Sequence, residues 1–307
     1  MMYLLNIIML ILMVLLSVAF LTLLERKILS YIQIRKGPNK IGFKGIIQPF
    51  SDALKLLSKE WNFYMLSNNF MLSPLMMLIL SMLLWYIYPW MNMSLMYNGL
   101  IFFMVILGFN VYPVIMLAWG SSCNYSMLGS LRSVAQMISF EISLFLMLFI
   151  FMLLCESFMF LDFMFYQQYL KFFILLYPLY LMFIISMLIE LNRTPFDLIE
   201  GESELVSGFN VEFYGSFFTM IFLAEYSSIL FMGLILELMF FGFIIWSMNF
   251  MLIFLIHMLL ILWIRGVLPR IRYDKLMMIC WKEILIGMLF YLSYIMFLKY
   301  FMLMILS

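Results

Sequence analysis

The chain has 307 residues, of which 67% are hydrophobic, 19% aromatic and 11% charged, with a net charge of +1 and a mean hydropathy of +1.13. Soluble domains have about a quarter of their residues charged, so this composition excludes one and points to a polytopic membrane protein. Three scattered cysteines with no C-x-x-C pair suggest neither a disulfide frame nor a cysteine-held cluster, and a single histidine excludes a bis-histidine haem on this chain.

Apolar runs of about 20 residues mark the spans. They fall near 4–24, 70–91, 99–119, 134–155, 171–191, 217–239, 243–264 and 283–303. The first lacks a basic n-region and a small-residue cleavage site, so it reads as a retained helix rather than a signal peptide. It ends in Glu25–Arg26–Lys27. "KGPN" at 36–39 reads as a turn. "SDALKLLSKE" from Ser51 fits a short amphipathic helix near 51–60, capped by Ser51, with Asp52, Lys55 and Lys59 on one face. Glu25 and Asp52 are expected to line a polar cavity with Arg26, because snorkelling accounts for cations at a helix end but not for an acid.

In the fourth span Arg132, Gln136, Ser139 and Ser143 share a stripe, and Glu141 points the other way. Glu141 sits roughly 10 Å into the helix, a depth at which a charge is expected to be functional. Glu190 closes the fifth span and Glu225 lies in the sixth. Three acids on different helices near one face suggest a proton path.

Segments 25–69, 120–133, 192–216 and 265–282 hold 15 of the 17 Lys and Arg residues. They are expected on one side, the cytoplasmic or matrix face, by the positive-inside rule. Against that bias, Glu190–Phe213 carries six acids and one base. "NRTPFD" stops a helix before Pro195. "GESELVSG" follows with Glu200, Glu202 and Glu204 crowded together. Arginines on the same face (Arg26, Arg35, Arg132, Arg270, Arg272) are expected to oppose these acids around a polar ligand. No internal repeat is visible, which weakens an inverted-repeat transporter. The expected fold is an all-α polytopic membrane protein, a single transmembrane domain over 1–307 with about eight spans and one amphipathic surface helix. A stand-alone proton or ion transporter and a membrane anchor of a hydrogenase-type complex remain alternatives.

The stretches "LLERKILSYIQIRKGPNKIGFKGIIQPFSDALKLLSKE", "LRSVAQMISFEIS", "ELNRTPFDLIEGESELVSGFNVEF", "LAEYSS" and "WIRGVLPRIRYDKLM" occur in this order. In them the chain resembles the family of quinone-chamber membrane subunits of respiratory complex I. The resemblance implies a subunit of proton-translocating NADH:ubiquinone reductase that is not catalytic alone and binds no metal or cofactor itself. Ubiquinone would be its substrate, with FMN and iron–sulfur clusters on partner subunits. Other membrane subunits, the peripheral arm that carries the terminal cluster, and lipid would be its partners; no nucleic acid is expected. Glu25, Arg26, Asp52, Arg193, Asp197, Glu200, Glu202, Glu204, Arg270 and Arg272 would belong to the chamber and its loop. Glu141, Glu190, Glu225 and Arg132 would start the coupling path. The Met- and Phe-rich composition, 34 of each against five Ala, fits mitochondrial coding, and an arthropod source and the inner membrane are expected. Many members have Tyr where this chain has Phe140 and Phe213, and a helix-seven Lys where it has Ile253. His257, one turn on, is a candidate substitute for that Lys.

Overall fold

The computed structural model describes residues 2–59, 68–89, 97–121, 123–197, 208, 213 and 215–306. Within a bilayer every backbone polar group must be satisfied internally, and a chain of long apolar runs meets that demand by folding as helices. The helices are α1 Met2–Ile32, α2 Gln48–Leu57, α3 Asn68–Leu84, α4 Gly99–Ser121, α5 Asn124–Cys155 and α6 Phe160–Tyr166. They continue with α7 Phe172–Leu175, α8 Tyr177–Glu190, α9 Gly215–Phe240, α10 Met248–Val267, α11 Tyr273–Met278 and α12 Leu285–Leu306. A π-helical segment, Ile279–Ile284, joins α11 to α12, so the last span is one long interrupted helix. Among the described residues seven segments are long and apolar enough to cross a membrane, and α8 is a shorter apolar helix.

Span boundaries depart from the hydropathy reading for local reasons. The fifth span begins at Tyr177 rather than 171, because Pro178 in the first turn supplies a preorganised start without an N–H to lose. The seventh begins at Met248, where the Ser247 side chain accepts the Phe250 amide. The amphipathic helix starts at Gln48, with Pro49 in its first turn. Ser51 is therefore not its cap: it lies inside the helix, bonded back to the Gln48 carbonyl.

The "KGPN" turn folds back on the loop that follows it. Gly45 has φ +82° and sits so close to the Pro38 carbonyl that any side chain would collide with it.

Helix association in lipid rests on packing rather than on water exclusion, and here aromatic rings supply much of it. Phe151, Phe183 and Phe240 are fully buried. Phe240 meets Phe151 edge-on at 5.0 Å and Phe183 at 5.5 Å. α9 is the central helix: every residue from Ile229 to Phe240 is buried, the pattern of a helix surrounded on all sides. Its last carbonyls, of Leu238 and Met239, accept hydrogen bonds from the buried Gln167 amide, which caps the helix from the side. The π-helical segment packs on α5, where the Cys280 thiol lies 3.4 Å from the Ser139 carbonyl.

Candidate functional site

Charged residues from distant parts of the chain meet around Glu25. Glu25 lies near the end of α1, only 4% exposed, and the structure surrounds it with three groups from elsewhere in the chain. The Tyr226 hydroxyl of α9 donates to Glu25 Oε2 at 2.6 Å. Arg265 of α10 forms an ion pair with Glu25. Arg193, in the turn after α8, places Nη1 3.7 Å from Oε1. The Arg193 guanidinium also lies over the Tyr226 ring, 4.5 Å from its centre, so one tyrosine orients both the acid and its partner. The partners come from two helix ends, one turn and the interior of α9, brought to the same level by the packing of the helices. Glu25 is in the last turns of α1, Tyr226 nearly halfway along α9, and Arg265 in the last turn of α10.

The turn after α8 builds the next layer. Asn192 adopts φ +51° and the Thr194–Pro195 bond is cis. The Ile271 amide donates to the Pro195 carbonyl at 2.9 Å, tying the turn to the segment after α10. Asp197 is buried, with Arg270 Nη2 3.6 Å from its carboxylate. Glu25 and Asp197 thus face Arg193, Arg265 and Arg270: two acids against three arginines.

This layer borders a cavity of about 90 Å³, lined by Glu190, Arg193, Asp197, Glu225 and Arg265 with Asn110, Asn192 and Ser228 among the remainder. Glu190 and Glu225 therefore share one polar space reached by arginines, although their helices are separated in sequence by the loop. Glu141 stands apart from it, in a cleft between α4 and α5 that is otherwise apolar. It is one turn beyond Met137, which lines the cavity. Gly108 of α4 makes room for it: a Cβ there would lie 2.9 Å from Glu141 Oε1.

Other expected residues are placed more simply. Arg26 and Asp52 pair at 2.5 Å on the surface, where Gln48 also donates to Asp52 at 3.0 Å. Arg272 does not join Arg270; it is exposed and pairs with Asp274 at 3.0 Å. Arg132 is half-buried on α5, outside the cavity lining. His257 is buried, its Nε2 3.1 Å from the Tyr180 hydroxyl, between the rings of Tyr180 and Phe241. Glu200, Glu202 and Glu204 lie outside the described residues.

Sequence reasoning passed over Arg265, Tyr226, Tyr180 and Glu237. Arg265 and Tyr226 stood in the quoted stretches "WIRGVLP" and "LAEYSS", so the signal was present for both. Glu237 is an intramembrane acid at full burial, with neither carboxylate oxygen hydrogen-bonded. Its charge type at that depth was a signal in its own right.

Residues 5–296 match the family model described as NADH dehydrogenase. A protein of Apis mellifera ligustica named NADH-ubiquinone oxidoreductase chain 1 is 59% identical over 298 residues, covering 97% of this chain and 98% of that one. A protein of the same name from Anopheles gambiae is 48% identical over 291 residues, 94% of this chain and 93% of its own. Another, from Artemia franciscana, is 45% identical over 287 residues, 92% and 94% respectively.

Proposed function

The chain belongs to the NADH dehydrogenase family, and from that membership we propose that it is a core membrane subunit of mitochondrial NADH–ubiquinone oxidoreductase. It forms the membrane wall of the quinone chamber and the first stations of the coupling path. The observation that carries this reading is the buried Glu25–Tyr226–Arg193–Arg265 group bordering a cavity shared by Glu190 and Glu225.

Quinone reduction consumes two electrons and two protons, and charge that changes in a low-dielectric space acts strongly on nearby carboxylates. In this chain Glu25 and Asp197 hold the arginines at fixed positions. Arg193 and Arg265 present positive charge to the cavity, and Glu190 and Glu225 respond to the charge of the quinone head by taking up or releasing a proton. Glu141, in the next cleft, passes that change outward. Glu200, Glu202 and Glu204 belong to the chamber loop, with Arg26 and Asp52 at its surface rim and Arg270 behind Asp197. Arg132 flanks the path on α5 and His257 extends it along α10. The electrons arrive through FMN and iron–sulfur clusters held by peripheral subunits. The positive loops face the matrix side of the inner membrane, and the other membrane subunits lie against the Glu141 cleft.

The test is the assembled complex carrying Glu25→Gln. Reduction of a short-chain quinone by NADH should fall at least about tenfold, as expected when a buried ion pair loses one partner. NADH oxidation by a hydrophilic acceptor that draws electrons upstream of the quinone should be unchanged. Quinone reduction at the native rate would remove the group from the chamber. A chain that separates from mildly solubilised membranes as a small oligomer without NADH oxidation would point to a stand-alone transporter.

A further inference from the structure

Gln136 is fully buried midway along α5 and does not line the cavity. Its side-chain nitrogen donates to the Ile189 carbonyl at 3.0 Å and to the Phe196 carbonyl at 3.4 Å. An amide NH₂ has two hydrogens, so one group serves both acceptors. The two carbonyls bracket the functional turn. The first is in the last turn of α8, beside Glu190, and the second belongs to the peptide that continues into Asp197. Between them lie Asn192, Arg193 and the cis Thr194–Pro195 bond.

The oxygen of the same side chain has no hydrogen-bond partner. An orphaned buried acceptor is costly, and a Met of similar length would fill the space without one. Packing alone therefore does not explain a glutamine here; its two donated bonds do. α5 also carries Glu141, five residues further on. One side chain thus joins the helix of Glu141, the helix end of Glu190 and the peptide of Asp197.

We propose that Gln136 is a positioning residue that holds Glu190 in fixed spacing from Arg193 and Asp197, and couples that turn to the helix carrying Glu141. The proposal rests on the quinone-chamber reading above. Because Gln136 acts through backbone carbonyls and touches no cavity space, its loss should change turnover and leave quinone binding alone.

The test uses the assembled complex in sealed vesicles with Gln136→Met and Gln136→Glu. Gln136→Met should lower kcat for a short-chain quinone about tenfold, the effect of losing one to two hydrogen bonds. KM for that quinone and upstream-acceptor activity should be unchanged. Gln136→Glu keeps the shape but donates only when protonated, so its kcat should recover severalfold as the pH is lowered from about 8 to about 6. Neither the native complex nor Gln136→Met should show that acid recovery. Native kcat in Gln136→Met overturns the proposal alone. So does an equal, pH-independent loss in both variants together with lost upstream activity, since that pattern belongs to folding. An unsubstituted complex that reduces no quinone overturns the functional reading, and this proposal with it.

Discussion

The Tyr226 hydroxyl donates to Glu25 at 2.6 Å across 201 positions of chain. That bond links the first span to the sixth and holds the acid where two arginines meet it. Tyr226→Phe removes one hydrogen bond to a charged group and should cost about 1.5–3 kcal/mol of stability. Glu25→Gln leaves Arg193 and Arg265 facing each other without their shared acid and should cost about 3–5 kcal/mol. Thermal unfolding of the assembled complex in detergent should rank them in that order. The reverse order would mean that Glu25 is not the centre of the group.

The Arg26–Asp52 pair should behave differently, because Arg26 is exposed and Asp52 only half-buried, at 54% and 35% exposure. Replacing either by Ala should change stability by about 0–1 kcal/mol. Any larger fall in quinone reduction would then report function rather than folding. A double substitution that restores activity would reduce the pair to a surface contact.

His257→Phe removes the partner of the buried Tyr180 hydroxyl, and an orphaned hydroxyl should cost about 1–3 kcal/mol. With His257 on the coupling path, protons translocated per electron should also fall while electron transfer continues. An unchanged ratio in sealed vesicles would assign His257 to packing alone.

Glu237 predicts a gain. Both of its oxygens are buried without a hydrogen-bond partner, so Glu237→Leu should be neutral or stabilising, by up to about 3 kcal/mol. A lower unfolding temperature for that variant would show that the carboxyl has a partner that matters.

Much of this architecture was legible because hydropathy reports directly what a bilayer demands. Long apolar runs must be helices, and each expected run lies on one, although α5 begins ten residues before the expected 134, α1 runs eight past the expected 24, and the last span begins at Tyr273 rather than 283. Boundaries moved where single residues decide them, as Pro178 and Ser247 do. Arg26 and Asp52 were expected to line a polar cavity with Glu25; instead they pair with each other outside the residues that line it. The Glu25 group was half legible. The acid was flagged by its charge at depth, but neither periodicity nor spacing can state which of many distant groups will meet it. Arg272 shows the converse: it shares a motif with Arg270, yet it stands at the start of α11, where it pairs with Asp274 in that helix's first turn and faces solvent. The division between the Glu190–Glu225 cavity and the Glu141 cleft depends on how α4 and α5 lean together, and no one-dimensional pattern carries that.

The brevity of α8 has a physical consequence. Its 14 residues reach roughly 21 Å at 1.5 Å each, against a hydrocarbon core about 30 Å thick. Glu190 ends that helix, so its depth depends on how far the surrounding lipid thins or neighbouring segments make up the difference. On the proposed function, acyl-chain length thereby becomes a variable of the coupling path: thicker bilayers should draw this carboxyl further from water, and thinner ones bring it nearer.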